Sequence, residues 1–298
     1  KVSLDDIKKI FHNKLSKDLF MDEIKTAEAV IKIANTKMAG AIRMVSISLG
    51  VDPRDFTLFA FGGAGPLHAS SLAKELGIPK VLVQARPGIT NALGCVVADL
   101  RQDFTNTLNT PIDRVNILDL HSLFEEQEKK GVELIKKQGL KLTSISSNFS
   151  LDMQFIGQTH ILRIELPNSN PDLDYLQKSF EKSYLNRFKV KLSEIKANIV
   201  NVNTTIQGHK PPFDISLLNN KLDRRLDLDD ALLEYRNVYF KDKFLNTPIY
   251  SRDRMPFEFE MKGPAIIEQM DTTILIEPND KVYGDYLGNM FIEVGDFS

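Results

Sequence analysis

The sequence holds one cysteine, Cys95, in 298 residues, so no internal disulfide framework can form. That fits a reducing compartment, and we expect a cytoplasmic protein. No stretch comes near the roughly 20 consecutive apolar residues that cross a bilayer as a helix. The opening residues, 1–18, are polar and charged and lack the apolar core of a secretory signal. The formal net charge is only −2, which gives no electrostatic case for nucleic acid or an anionic membrane as partner. There is no Gly-Lys-Ser/Thr phosphate loop and no GxGxxG spacing. His12, His121 and His209 lie in polar surroundings without metal-ligand spacing, so no metal site is expected. The chain opens on Lys1 rather than Met, which fits a processed product or a piece of something longer.

Against those absences, 42% apolar and 26% charged residues are ordinary for a globular chain, and the length suits two domains or one large one. The most informative stretch is Phe61-Gly62-Gly63-Ala64-Gly65-Pro66-Leu67-His68. The β-prone run Thr57–Ala60 precedes it, and Ala69–Leu76 after it has helical composition. The glycines therefore sit where a strand turns into a helix. Glycine admits positive φ and close approach to the main chain. A helix start offers unpaired N–H groups and partial positive charge. Pro66 suits the first helical turn, where its missing N–H costs nothing. The block reads as a nucleotide seat or as a tight structural turn, and the residues alone leave both open.

Around it, Ile24, Ala27, Ile31, Ala34, Met38, Ala41 and Val45 recur at steps of three and four and predict a long helix closed by Gly50. Val30, Ile33 and Ile42 widen its apolar face, which predicts burial on more than one side, and Gly40 within it predicts a close neighbour. A strand at 81–83, an apolar helix at 89–98 and a strand at 101–108 continue a β–α–β–α alternation. Cys95, in the apolar run Leu93–Ala98, reads as a buried, inert thiol. Helices are predicted at 113–138 and 172–189, and strands at 144–155, 159–166 and 199–206, with Gly157 as a hairpin turn. Residues 208–235 read as a linker or long loop. Short strands at 237–240, 248–250, 265–268, 272–276 and 289–294 predict a small all-β unit. The segments so drawn are 1–110, 111–210 and 211–298.

The run Phe59–Phe104, with FGGAGPLHASSLAKELGIPKVLVQARPGITNALGCVVADLRQDF, resembles the hydantoinase A family, which includes subunits of ATP-dependent hydantoinases, 5-oxoprolinases and ketone carboxylases. Leu151–Gln158, and Thr247–Tyr250 with Gly263–Glu268 and Thr272-Thr273, resemble its later motifs. Gln154 departs from the family, where a basic residue is usual. The resemblance implies an α/β fold: the C-terminal half of an actin-like (RNase H-like) ATPase core followed by a small all-β domain. It implies ATP, with Mg²⁺ held by ligands in an N-terminal half of the same protein. No Asp-x-Gly-Gly-Thr loop occurs in this sequence, where only Gly62 and Gly63 are adjacent glycines. It further implies a hydantoinase B-type partner subunit, an oligomer, and a small cyclic amide as substrate, with a ketone carboxylase or a non-catalytic assembly module as alternatives.

On this reading Gly62, Gly63, Ala64 and Gly65 line the nucleotide. His68, Arg86 and Asn91 are candidate substrate or phosphate contacts. The plainer expectations are that His68 bonds within its own helix start, Arg86 forms an ion pair and Asn91 caps a helix. Asp99 and Asp103 could act together only on one continuous helix. Asp152, Gln158 and His160 fall beside a hairpin, while Glu268 and Asp271-Thr272-Thr273 read as a β-turn. No catalytic residue is assigned.

Overall fold

The computed structural model describes residues 3–191, 195–214, 217 and 224–295. The remainder of the expected linker, 215–216 and 218–223, lies outside the described residues. Two compact units form: residues 1–94 with 214–298, and residues 95–213. This division differs from the three segments drawn from the sequence.

In the first unit, α1 (Leu4–Phe11) runs through a π-helical turn at His12–Ser16 into α2 (Lys17–Leu19). The long helix α3 spans Glu23–Leu49, N-capped by Asp22 and closed by Gly50. Then follow β1 (Thr57–Ala60), α4 (Gly65–Leu76), β2 (Lys80–Val83) and α5 (Thr90–Val97). The C-terminal strands of the unit are β7 (Leu232–Phe240), β8 (Lys243–Ser251), β9 (Glu260–Lys262), β10 (Ala265–Gln269), β11 (Thr272–Ile276), β12 (Lys281–Gly284) and β13 (Met290–Glu293). The second unit holds β3 (Leu100–Pro111), α6 (Ile117–Lys137), β4 (Ser144–Phe155), β5 (Leu162–Leu166), α7 (Leu173–Phe188) and β6 (Ala197–His209).

The C-terminal residues are all β, as expected, but they do not form a detached domain. One sheet has the order β1-β2-β13-β12-β9, with β1 parallel to β2 and β13 antiparallel to β2. A second runs β11-β10-β8-β7, with β10 parallel to β8. Val81, Val83, Val282 and Ile292 from the first sheet share one core with Ile267, Ile274 and Ile276 from the second and with Ala69, Leu72, Ala73 and Leu76 of α4. The β9 and β12 strands are not among the expected ones; Glu260, Lys262 and Lys281 break up their apolar residues. β7 begins at Leu232, inside the expected linker.

Two expectations about α3 and one about α5 are overturned. Only Thr26, Asn35, Ala39 and Ser46 of α3 are buried, while Val30, Ile33, Met44 and Ile47 are exposed. Within this chain the helix packs along one narrow face. A side chain at Gly40 would meet open space, so that glycine marks no close neighbour. Cys95 is exposed, because α5 buries none of its residues.

The second unit is an antiparallel sheet of order β3-β6-β4-β5. Its core joins Phe149, Leu151, Met153 and Phe155 of β4 to Phe124 of α6 and to Leu176, Phe180 and Tyr184 of α7. Phe155 meets Phe180 at 4.7 Å and Tyr184 at 4.8 Å, both edge to face. Such ring pairs add roughly 0.5–1.5 kcal/mol each beyond area burial. Gly157 makes the expected turn after β4.

Candidate functional site

The parallel pair β1–β2 ends where α/β proteins gather ligands, at the carboxyl ends of its strands. β1 leads through Phe61 into the glycine turn. Gly62 has φ +82°, a conformation costly for any residue with a Cβ, and its N–H donates to the Pro87 carbonyl at 2.7 Å. That bond sets the segment Arg86-Pro87-Gly88, which follows β2, against the glycine turn. Ala64 is the N-cap of α4 and supplies no side-chain cap, so the helix start keeps its unpaired N–H character. No acceptor within the described residues takes the N–H of Gly63 or Ala64.

Beside the turn lies an open apolar pocket of about 270 Å³. Met38 and Ile42 of α3, Phe59, Phe61 and Leu72 line it. The rings of Phe59 and Phe61 lie 5.6 Å apart, each over two-fifths exposed. Apolar walls next to a few free donors are the usual make-up of a small-molecule site.

The other candidate residues divide. Arg86 stands beside the turn, and its Nη1 lies 3.2 Å from Asp253 Oδ1, the ion pair expected. His68 does not bond within its own helix start; its Nδ1 lies 2.8 Å from Asn35 Oδ1 of α3. Asn91 is exposed inside the first turn of α5, not at its cap. Of the residues expected to form a β-turn, only Asp271 lies in the β10–β11 turn; Glu268 belongs to β10, and Thr272 and Thr273 open β11. Asp271 and Thr272 both reach the glycine turn.

Sequence reasoning missed Arg252. It is 1% exposed, just past β8, and its Nη2 donates to the carbonyls of Val83, Gln84 and Gly288 at 3.2, 2.7 and 3.0 Å. Burial, then the neighbouring Arg224, pushes its pKa down to about 9, so it stays charged at neutral pH. Burial also lowers Arg224, whose Nη1 donates to the Arg252 and Met255 carbonyls, both at 2.8 Å. An arginine after a strand reads as a surface residue in sequence; only the return of β13 onto β2 buries it.

In the second unit Asp99 and Asp103 serve different ties. Asp99 accepts from the Lys210 N–H at 2.8 Å and lies 2.7 Å from His209 Nδ1, whose Nε2 lies 2.8 Å from Ser146 Oγ. Asp103 accepts from Arg101 at 2.8 Å and from Thr205 Oγ1 at 2.6 Å. His160 packs its ring on Phe188, 4.8 Å away, while the Gln158 N–H closes the hairpin turn onto Phe155 O. No group of three or more His, Cys, Asp or Glu among the described residues is placed to hold a metal ion, and none of the described helices is long and apolar enough to cross a membrane.

Asp152 is buried and accepts from Arg163 Nε at 2.9 Å and Asn201 Nδ2 at 3.1 Å. Burial alone would raise its pKa, but the bonds from Arg163 and Asn201 outweigh it and hold the carboxyl below its ordinary value. A depressed folded-state pKa gives stability that is present above the unfolded value and is lost as pH falls through the folded one. We expect wild-type thermal stability to drop on acidification below about pH 4, and Asp152→Asn to flatten that drop. Equal acid slopes in both proteins would refute this role.

Residues 1–104 match the hydantoinase/oxoprolinase family model, and residues 113–290 match the model of the hydantoinase/oxoprolinase C-terminal domain. An uncharacterised protein of Methanocaldococcus jannaschii is 32% identical over 281 residues, covering 94% of this chain and 40% of that protein. The caprolactamase alpha subunit of Pseudomonas jessenii is 28% identical over 91% of this chain and 40% of its own length. Among solved structures, nucleotide-free acetone carboxylase superposes with a TM-score of 0.76 at 21% identity, covering 99% of this chain and 43% of that one. The ATP-dependent caprolactamase of Pseudomonas jessenii gives 0.74 at 27% identity, covering 97% and 42%. The α/β fold is thus shared with ATP-dependent enzymes and agrees with the expected half of an actin-like ATPase core plus β strands. The chain spans about two-fifths of the length of these relatives. With both family models matched in order along its length, the chain belongs to the hydantoinase/oxoprolinase family.

Proposed function

We propose that this chain is the C-terminal part of an ATP-dependent cyclic-amide hydrolase subunit, of the hydantoin or 5-oxoproline type. ATP activates the ring carbonyl by phosphorylation, and water then opens the ring. The observation that carries the reading is the pair of acceptor-free N–H groups, Gly63 and Ala64, at an uncapped helix start beside an apolar pocket. N–H groups so placed suit a phosphate, and apolar walls suit a base. Gly62, Gly63, Ala64 and Gly65 line the nucleotide, and Arg86 is the best placed of the further candidates, since Asn35 holds His68. Relatives named caprolactamase and 5-oxoprolinase support amide chemistry. Phosphoryl transfer also needs Mg²⁺, whose ligands we assign to a part of the protein outside this chain. A B-type partner subunit completes the hydrolysis, in the cytoplasm.

A second reading, a ketone carboxylase subunit, is favoured by the fold shared with acetone carboxylase and by the 25% identity to an acetophenone carboxylase gamma subunit of Aromatoleum aromaticum. The test is ATP turnover by the complete protein with its copurifying subunits. Stimulation by 5-oxoproline or a hydantoin supports the first reading, stimulation by acetone with bicarbonate the second, and no hydrolysis with any of them a non-catalytic assembly module. In the same protein, Gly63→Val is expected to weaken ATP binding at least tenfold without unfolding it. A folded variant with unchanged affinity would remove the turn from the site.

A further inference from the structure

The tip of the β10–β11 hairpin grips the glycine turn from the side opposite its free N–H groups. The Thr272 hydroxyl shares its proton between the carbonyl oxygens of Gly62, at 3.2 Å, and Gly63, at 3.1 Å. Thr272 is buried, so water competes poorly for that hydroxyl. The tip also fits the surrounding backbone. The Asp271 carbonyl oxygen lies 3.3 Å from where a Cβ on Gly63 would stand, and the Asp271 carboxylate covers Gly88, where any Cβ would collide with it. Pro87, next to Gly88, accepts the Gly62 N–H. Asp271 in the turn and Thr272 at the start of β11 therefore contact both segments that frame the start of α4.

Peptide planarity gives this contact a direction. In a trans peptide the C=O of one residue and the N–H of the next point opposite ways. Carbonyls of Gly62 and Gly63 held toward Thr272 turn the N–H groups of Gly63 and Ala64 away from it, side by side. Successive N–H groups aimed alike make an anion-binding concavity. We propose that Thr272 is a positioning residue: it touches no ligand but orients the two donors that meet a phosphate oxygen. This rests on the nucleotide reading above and extends it to a residue some 200 positions away in sequence.

The test compares wild type with Thr272→Val, which keeps shape but loses the proton, and Thr272→Ser, which keeps the proton. Each is made in the complete protein with its subunits. Three quantities are measured: KM and kcat for ATP, hydrogen exchange at the Gly62 amide, and the thermal midpoint. We expect Thr272→Val to raise KM about tenfold at unchanged kcat and to speed Gly62 exchange, and Thr272→Ser to restore both. A lower midpoint with unchanged KM would make Thr272 merely structural and overturn the proposal. If Thr272→Val does not fold, Thr272→Ala replaces it in the same comparison. If wild type shows no saturation by ATP, the nucleotide reading fails and exchange decides: faster Gly62 exchange in the variant keeps Thr272 as the support of the turn, and unchanged exchange removes that too.

Discussion

Arg252→Leu is expected to cost about 3–5 kcal/mol of stability. That lowers the thermal midpoint of the chain by about 10 °C. Two effects oppose each other. Leucine removes a charge that burial and Arg224 already penalise, as the lowered pKa records. Replacing a buried charge with an apolar side chain of similar volume is often harmless when its partners go with it. Here the partners stay. The carbonyls of Val83, Gln84 and Gly288 belong to the end of β2 and to the turn between β12 and β13, and each would be left without its donor. An orphaned buried acceptor costs about 1–3 kcal/mol, so the loss of three outweighs the relief of one charge. The measurement is urea denaturation of both proteins. A loss under 1 kcal/mol would mean that the desolvation of Arg252 nearly cancels its bonds. Arg224→Leu, with two carbonyl partners and a less buried side chain, is the smaller effect expected beside it.

The same residue marks where sequence reading stopped. Local elements were legible because their signals are local. Gly50 closes α3, and Gly157 turns the hairpin after β4. The strand–turn–helix around Gly62–Gly65 follows from composition alone. What failed depended on partners distant in the chain. The sheet that carries the site is completed by β13, some 200 residues after β2, and no periodicity announces such a pairing. His68 was expected to serve its own helix because nothing in sequence places Asn35 of α3 beside it. The outer face of α3 reads as buried because apolar residues recur there, yet Ile33 and Ile47 are exposed in this chain. Periodicity reports a preference for burial, not the surface that meets it. Gly88 leaves room for Asp271, a residue that the sequence assigns only to a turn.

Lys74→Met is expected to cost about 3 kcal/mol, for a reason complementary to Arg252. Lys74 Nζ on α4 lies 2.7 Å from Glu277 Oε2 and 3.1 Å from Asp280 Oδ1. Asp280 is fully buried, and Glu277 also accepts from the Ser71 hydroxyl. The lysine is therefore the counter-charge for a carboxylate pair at the end of β11, and it pins α4, the helix of the glycine turn, to that strand end. Methionine keeps the aliphatic stem and removes only the charge, so the cost reports uncompensated carboxylates rather than a cavity. The backbone N–H groups of Glu277 and Gly295 still donate to Asp280, which keeps the loss near the lower end for a broken buried pair. Burial pulls the Lys74 pKa down, but the bonds and charges of Glu277 and Asp280 outweigh it and hold it above its ordinary 10.5. A raised folded-state pKa gives stability that is fully present below the unfolded value and is lost as pH rises through the folded one. The gap between wild type and Lys74→Met should therefore be constant near neutrality and narrow above about pH 10.5, where wild type alone loses its lysine charge. A gap that stays constant through that range would mean that Lys74 acts by packing, and the glycine-turn helix would then be held by its apolar face alone.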